Sequence, residues 1–425
     1  MDKVNVAGLK IDSITKVQLL HAVLKRIWAG QKTFITTAYS EFLHHSFQEP
    51  KLLDILNKTD FAVADGIGIF WAKKYLDIPL TAKSYWGKIL QAFWQIIYSL
   101  AAIIFNTRWI KSALPEKIVG ADLVWDLAKL AANNNLSVFL LGGFGNTTKI
   151  VAEKLSTRYP RLIIHYSNKN PNDPTILDDI NRDNPDILFV AYGPIKQESW
   201  IARNLPKLSV KLVIGVGGTF DYIAGKRLAP PKFVRKIGLE WLWRLITQPW
   251  RLKRIFNATF GLAWGLWHYK VFSSLPLRPN VVVVILNSRN EILVGERNPK
   301  DVNIDIISTP ETLSTPGYWQ IPQGGIDQGE NLLIAAYREA KEETGLNDLG
   351  FVKISEQTYT YIWNNALRQF WKNRYKKNIG QIQNIVYFKF HGSPEEVKID
   401  YKEFINHKWV ALNELEKLIH PERLP

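Results

Sequence analysis

The 425-residue chain contains no cysteine. That absence removes disulfides, thiolate nucleophiles, Cys-ligated zinc and iron–sulfur clusters together, so any metal must be held by oxygen or imidazole. An apolar leader is missing too: MDKVNVAGLKIDSITK places charges early and has no continuous apolar stretch. It does not read as a secretory signal, and the expectation is a cytoplasmic chain. Acids are scarce, 39 Asp+Glu against 54 Lys+Arg, and the formal net charge of +15 favours polyanions such as nucleic acid, an anionic membrane or phosphorylated substrates. Internal repeats and low-complexity tracts are absent from the sequence. With 46% hydrophobic and 22% charged residues, the chain lies far from the composition of disorder. At roughly 100–200 residues per domain, its length holds two or three folded units.

From residue 4 to about 245, short β-branched runs alternate with helical patterns: KTFITTA, DFAVADGIG, LSVFLLGG, RLIIHYS, DILFVAYG and KLVIGVGG. Several of these runs are apolar throughout and end in Gly or Asp, as buried parallel strands feeding a loop do. The prediction is an α/β, Rossmann-like domain over 1–245. In such folds the ligand lies beyond the carboxyl ends of the strands, where Asp65, Gly142, Gly143, Gly193, Gly217 and Gly218 fall.

Two segments depart from that alternation. Residues 89–105, ILQAFWQIIYSLAAIIF, carry no charge and as a helix span roughly 25 Å. That is slightly short of a ~30 Å hydrocarbon core, which suits a re-entrant or interface-lying helix, or else a buried core helix. Between 226 and 270, ten Lys/Arg face one acid, Glu240, with Trp241, Trp243, Trp250, Trp264 and Trp267 interleaved. This reads as a basic, aromatic appendage over about 246–275 suited to a membrane interface, or as a helix pair packing Trp inward. From 276 to the end, LRPNVVVVILNSRNEILVGER predicts a hairpin and 298–316 a long polar loop. A helix follows, with further strands near 357–363, 384–391 and 407–411, which together predict a compact α+β domain.

GGIDQGENLLIAAYREAKEETGL carries the clearest chemistry. Read from Gly324 it gives G-x5-E-x7-R-E-U-x-E-E-x-G-U, with Ala340 at the one aliphatic position that departs. Glu339, Glu342 and Glu343 stand at i, i+3 and i+4 and share a helix face. Three crowded carboxylates suit a hard cation, Mg²⁺ or Mn²⁺, together with phosphate and water. Arg338 can orient a glutamate or contact substrate, and Gly345 suits the helix C-terminus. This pattern is identified as a Nudix box, which implies hydrolysis of a diphosphate linkage in a nucleotide substrate, with Glu342 and Glu343 catalytic. RPN, GYWQIPQGGID, IGQIQNIVYF and EFINHKWV resemble the RNA pyrophosphohydrolase and dinucleoside polyphosphate hydrolase group, and that resemblance implies Glu403 as a further metal ligand or base. The run WNNALRQFWKNRYKK offers aromatic and basic contacts for a base and phosphates.

The N-terminal pieces GLKIDSIT, TTAYSEF, DFAVADGIGIFWA, KIVGADLVWDLA, VFLLGG, PDILFVAYGPIKQESWI, VIGVGGTFDYIAGKRLAPP and GLEWLWRLITQPWRLKR resemble, in order, the bacterial glycosyltransferases that include the N-acetylmannosaminyltransferases. The resemblance implies Asp65 as general base with Thr37 beside it, and Lys117, Gln197, Glu198 and Asp221 as substrate contacts. Backbone N–H groups at Gly142–Gly143 and Gly217–Gly218 are expected at a diphosphate. Arg244, Arg251 and Arg254 are expected to reach the site from the appendage. Tyr39, Lys117 and Leu228 stand where the family usually has Asn, Arg and Arg, with Arg227 next to the last. About 34 residues around the apolar stretch, roughly 80–114, read as an insertion.

The expected whole is a bifunctional enzyme, peripheral on the inner face of the cytoplasmic membrane. Its N-terminal domain would transfer an N-acetylhexosamine with inversion from a UDP-sugar to a polyprenyl-diphosphate-linked sugar acceptor, with no metal required. Its C-terminal domain would be a Mg²⁺- or Mn²⁺-dependent hydrolase, and a homo-oligomer is left open. Two rivals are a hydrolase with a degenerate N-terminal binding domain, and a hydrolase localised by a membrane-attachment scaffold.

Overall fold

The computed structural model describes residues 2–228, 231, 234, 240–247, 252, 256–298, 319–362 and 378–418. The chain forms two compact units, Met1–Val271 and Phe272–Pro425.

The first unit opens with a hairpin, β1 (Lys3–Val6) and β2 (Leu9–Asp12). Its two-residue turn places Ala7 at φ 53° and Gly8 at φ 92°. Two left-handed residues match the twist of the strands they join. The six β-branched runs become β3 (Thr33–Ala38), β4 (Phe61–Ala64), β5 (Ser137–Gly142), β6 (Ile163–Ser167), β7 (Ile187–Ala191) and β8 (Leu212–Gly215). They form one parallel sheet in the order β4-β3-β8-β7-β5-β6.

Both sheet faces are apolar because alternate side chains feed separate cores. Ile35, Val138, Leu140, Ile187, Phe189 and Leu212 enter one core, and Phe34, Phe139, Leu141, Leu188, Val190 and Val213 another. Helices cover both faces, which is why these strands read as continuous apolar runs rather than as alternation.

The uncharged stretch forms the helix Tyr85–Phe105, capped by Ser84, which accepts from the Gly87 N–H at 3.0 Å. Ala92, Ile96, Ser99 and Ala102 face inward. The Trp71 indole donates to Ser99 Oγ at 3.0 Å and the Tyr75 hydroxyl to the Ala92 carbonyl at 3.2 Å. Among the described residues this is the one helix long and apolar enough to cross a membrane, and 22% of its apolar window is buried. It is therefore not a buried core helix: Trp86, Leu90, Phe93, Trp94, Ile97, Tyr98, Leu100, Ile104 and Phe105 are exposed.

In the aromatic appendage, helix Glu240–Thr247 is followed by a π-helical turn, Asn257–Gly261, and helix Leu262–Ser273. Leu262, Ala263 and Leu266 join a core that contains Phe42, Phe70, Trp71 and Tyr75. Lys270, one of the ten basic residues of this stretch, is turned inward. It is buried, donates to the Tyr75 carbonyl and lies 4.3 Å over the Tyr75 ring, and burial lowers its pKa to about 8.

The second unit is a mixed sheet of β9 (Arg278–Leu286), β10 (Ile292–Arg297), β11 (Trp319–Gln320), β12 (Gln323–Gly325), β13 (Gly350–Ile362), β14 (Gly380–Lys389) and β15 (Phe404–Val410). The path is β11-β10-β9-β14-β13, with β12 on β9 and β15 on β10. β9 and β14 run parallel, and the other pairs are antiparallel. Helix Leu332–Thr344 packs Ala335, Ala336 and Ala340 onto Val281, Val283, Val386 and Phe388. At position 340 a small side chain is thus buried against the sheet. Asn331 caps the helix by accepting from the Ile334 N–H at 2.9 Å, and Gly345 at φ 71° ends it. The expected polar loop from residue 299 onward and the run WNNALRQFWKNRYKK lie outside the described residues.

Candidate active sites

In the first unit a cavity of about 470 Å³ lies beyond the carboxyl ends of β3, β4, β7 and β8. Thr37, Asp65, Gln197, Gly217 and Gly218, all expected at a site, line it, and so does Tyr39, which stands where the family usually has Asn. Asp65 follows β4, where its N–H donates to the Ala38 carbonyl at 2.7 Å. Its Oδ2 accepts from the Gly120 N–H at 3.1 Å, at the start of helix Gly120–Asn133. One carboxylate therefore caps a helix and faces the cavity. A Cβ at Gly120 would lie 3.2 Å from Thr37 Oγ1 and 3.3 Å from Asp65 Oδ2, so this glycine lets the three groups converge.

Gln197 and Glu198 are buried in sequence order but divide the work. Gln197 lines the cavity, and its Oε1 accepts from the Gly217 N–H at 2.9 Å. Glu198 does not line it. Its two oxygens accept from Gln197 Nε2 at 2.8 Å and from the Ile195 N–H at 2.7 Å. Burial raises its pKa to about 7. Glu198 is a brace for Gln197 and for Ile195, a β-branched residue held at φ 70°, rather than the expected substrate contact.

Four further expectations shift. The Gly217 N–H is already committed to Gln197. Gly142 and Gly143 do not line the cavity: a Cβ on Gly142 would meet Tyr192 at 2.9 Å and the Ala191 carbonyl at 3.0 Å, and one on Gly143 would meet Thr148 Oγ1 at 2.8 Å. These glycines serve close backbone packing. Lys117 is half-buried and also off the lining. Asp221 pairs with Arg227 at 2.9 Å, and Arg227 is the residue of that pair on the cavity wall. Arg227 thus supplies a guanidinium one place before Leu228. Arg244 lies on helix Glu240–Thr247 with its side chain undescribed, and Arg251 and Arg254 lie outside the described residues.

In the second unit Arg338 organises the acidic cluster. Its Nε and Nη2 donate to the two Glu330 oxygens, each at 2.9 Å. Nη1 donates to Glu339 at 2.6 Å and Glu342 at 3.1 Å, and Nη2 to the Gly325 carbonyl at 2.8 Å. The guanidinium is therefore spent inside the protein rather than on substrate, and these contacts hold its pKa above the usual range. A Cβ at Gly324 would overlap the Glu339 carboxylate at 2.0 Å, so only glycine lets β12 pass this helix.

Glu343 is buried. Its Oε2 accepts from the Gln323 N–H at 3.0 Å, while its Oε1 has no donor and Glu403 stands beside it. Burial and the Glu403 carboxylate push its pKa well up, and burial raises that of Glu339 against the pull of Arg338. Among the described residues no three acidic or imidazole groups are preassembled as a closed cation shell, because Arg338 holds two of the four expected ligands. The donor set nevertheless fits a hard divalent cation: an undonated buried carboxylate oxygen next to a second carboxylate is stabilised by positive charge between them.

The chain matches the model of the Glycosyl transferase WecG/TagA/CpsF family over residues 4–100 and 90–275, and that of the NUDIX domain over 276–425. A relative from Staphylococcus aureus (strain MRSA252), an N-acetylglucosaminyldiphosphoundecaprenol N-acetyl-beta-D-mannosaminyltransferase, is 27% identical over 258 residues, 60% of this chain and 88% of its own length. Similar solved structures are the MutT protein of Methanosarcina mazei Go1 (18% identity, TM-score 0.24, 35% of this chain and 88% of that one) and a C. elegans Ap4A hydrolase (21%, 0.23, 33% and 85%). With the family match spanning well over half the sequence, the chain belongs to the glycosyl transferase WecG/TagA/CpsF family and is an enzyme that carries a NUDIX domain at its C-terminal end.

Proposed function

We propose that the first unit transfers an N-acetylhexosamine, ManNAc-like, from a UDP-sugar to a polyprenyl-diphosphate-linked sugar acceptor, and that the second hydrolyses a nucleoside diphosphate-linked substrate with Mg²⁺. The observation that carries the transferase reading is the convergence of Thr37, Asp65, Gln197 and Arg227 on one cavity at the ends of parallel strands. Asp65 accepts the proton of the acceptor hydroxyl as the new glycosidic bond forms and the UDP leaves with its electron pair. Arg227 meets the donor diphosphate with paired N–H donors. Gln197, braced by Glu198, fixes the Gly217 turn against which the nucleotide packs.

In the second unit Glu339, Glu342, Glu343 and Glu403 would hold the divalent cation. When bound, such an ion neutralises phosphate oxygens and lowers the pKa of a water. Arg338 keeps Glu339 and Glu342 in register, and Glu343 and Glu403 hold or release a proton at the face they share. The protein works from the cytoplasmic side of the membrane, with the exposed aromatic face of helix Tyr85–Phe105 at the lipid surface.

The test is label transfer from a panel of UDP-N-acetylhexosamines to a short-chain polyprenyl-diphosphate-GlcNAc acceptor in EDTA, with wild type and Asp65→Asn. Asparagine keeps an oxygen to accept from the Gly120 N–H, so the helix cap survives while the base is lost. Labelled lipid that disappears in the variant is the expected result. No transfer from any donor overturns the reading in favour of a non-catalytic N-terminal domain.

A further inference from the structure

We infer that helix Tyr85–Phe105 and the turn Asn257–Gly261 form a binding site for the isoprenoid chain of a diphosphate-linked lipid at the mouth of the first unit's cavity. This rests on the transferase reading above and names which residues grip the acceptor's tail.

The cavity is chemically two-sided. Its floor is polar: Thr37, Glu41, Asp65, Gln197 and Arg227. One wall is aliphatic and aromatic, built by Leu100, Ile103 and Ile104 from the helix and by Phe260 with Leu262 and Ala263 from the turn and the helix after it. At the rim Ile104 is 61% and Phe260 66% exposed, and Phe260 stacks on the exposed Phe256 at 5.1 Å. Large apolar side chains left in water beside an ionic floor match an amphiphile with an anionic head and an apolar tail.

The helix is held as a wall rather than as a loose arm. Trp267 Nε1 donates to the Ile89 carbonyl at 3.1 Å, and Phe93 meets the Trp267 ring at 6.0 Å. The inward row of Ala92, Ser99 and Ala102 lets its backbone approach the core closely. Between Asp77 and Glu116 the sequence has no acid, while Lys83, Lys88, Arg108 and Lys111 flank the helix, so the helix wall itself sets no carboxylate in the path of an anionic amphiphile. The two stretches that match the family meet inside this helix, at residues 90–100, so the wall lies where this chain breaks from the family's pattern.

The experiment is calorimetric titration of the full chain with inorganic diphosphate and with geranyl, farnesyl and geranylgeranyl diphosphate below their micelle concentrations. Affinity is expected to rise at least about tenfold from the ten- to the fifteen-carbon chain, since each buried methylene adds apolar transfer energy. Ile104→Ser and Phe260→Ser together are expected to flatten that series toward inorganic diphosphate. Trp94→Ser, on the same helix but off the cavity, is expected to keep it. Both rim residues are exposed, so the double variant folds, which its melting curve checks.

Length-independent affinity in the wild type, or equal flattening by Trp94→Ser, overturns the inference and leaves the helix as a membrane-surface anchor only. Length-dependent binding without any sugar transfer sinks the transferase reading while the chain site stands. Transfer without length dependence does the reverse.

Discussion

Arg227 lines the cavity one place before Leu228. Its Nη2 pairs with Asp221 at 2.9 Å, and its Nη1 lies 3.1 Å from where a Cβ on Gly218 would stand. The guanidinium is therefore held against the glycine turn and aimed along the cavity wall. On the proposed transferase reading, removing it costs a charge-assisted contact to the donor diphosphate, about 1.5–3 kcal/mol. Arg227→Ala should raise the UDP-sugar KM by about 10- to 100-fold with kcat less affected, and Arg227→Lys, which keeps the charge but not the fork, should fall between. An unchanged donor KM would remove Arg227 from the site.

Glu198 makes a pH prediction at the same scale. Its folded pKa of about 7 lies above its ordinary 4.5. The folded state then binds more protons than the unfolded state between those values, so this residue's contribution is present below pH 4.5 and is lost as pH rises through 7. The wild type should lose stability relative to Glu198→Gln across that window, by up to about 3 kcal/mol. Melting curves of both proteins at pH 5 and pH 8 measure the change in their difference. A constant difference would mean that Glu198 titrates normally.

At the scale of elements, Gly265 decides between two opposing effects. In a helix interior Gly→Ala gains about 1 kcal/mol from propensity alone. Here a Cβ would stand 2.4 Å from the Phe47 ring, and overpacking typically costs about 1–3 kcal/mol. Gly265→Ala should therefore lower the melting temperature of the first unit by several degrees and loosen helix Leu262–Ser273; a higher melting temperature would show that Phe47 yields freely.

The same scale shows what the sequence makes legible. The strands β3, β4, β5, β7 and β8 were readable because burial on both faces leaves nearly continuous apolar runs, and the acidic helix because its spacing is itself the chemistry. The β1–β2 hairpin was not, since an Ala7-Gly8 turn lacks the Asn-Gly or Asp-Gly signature. Thr37, Asp65 and Gln197 were found through motifs at strand ends. The shared motif could not separate Gln197, which faces the cavity, from Glu198, which is turned inward as its brace. Gly142 and Gly143 misled, because a positive φ needed for packing looks in sequence like one needed for phosphate. Leu100, Ile104 and Phe260 carried no site signal, because an aliphatic wall looks like any apolar helix until the fold sets it beside an ionic floor.

Across the whole molecule, each site is assembled from side chains of its own unit: Thr37, Asp65, Gln197 and Arg227 within 1–271, and Glu330, Arg338, Glu339, Glu343 and Glu403 within 272–425. Damage to one set should leave the other working. Glu343→Gln removes one of two facing carboxylates, so it should abolish hydrolysis while relieving their repulsion and preserving the fold. In the wild type, Mg²⁺ at 100 times its Kd should stabilise the second unit by about 2.7 kcal/mol through linkage, and this thermal shift should vanish in Glu343→Gln. Asp65→Asn should keep the full shift and the hydrolysis while losing transfer. Both activities and both melting transitions can be followed in a single preparation of each variant. A Glu343→Gln protein that loses sugar transfer as well would mean that the two chemistries are coupled through the chain.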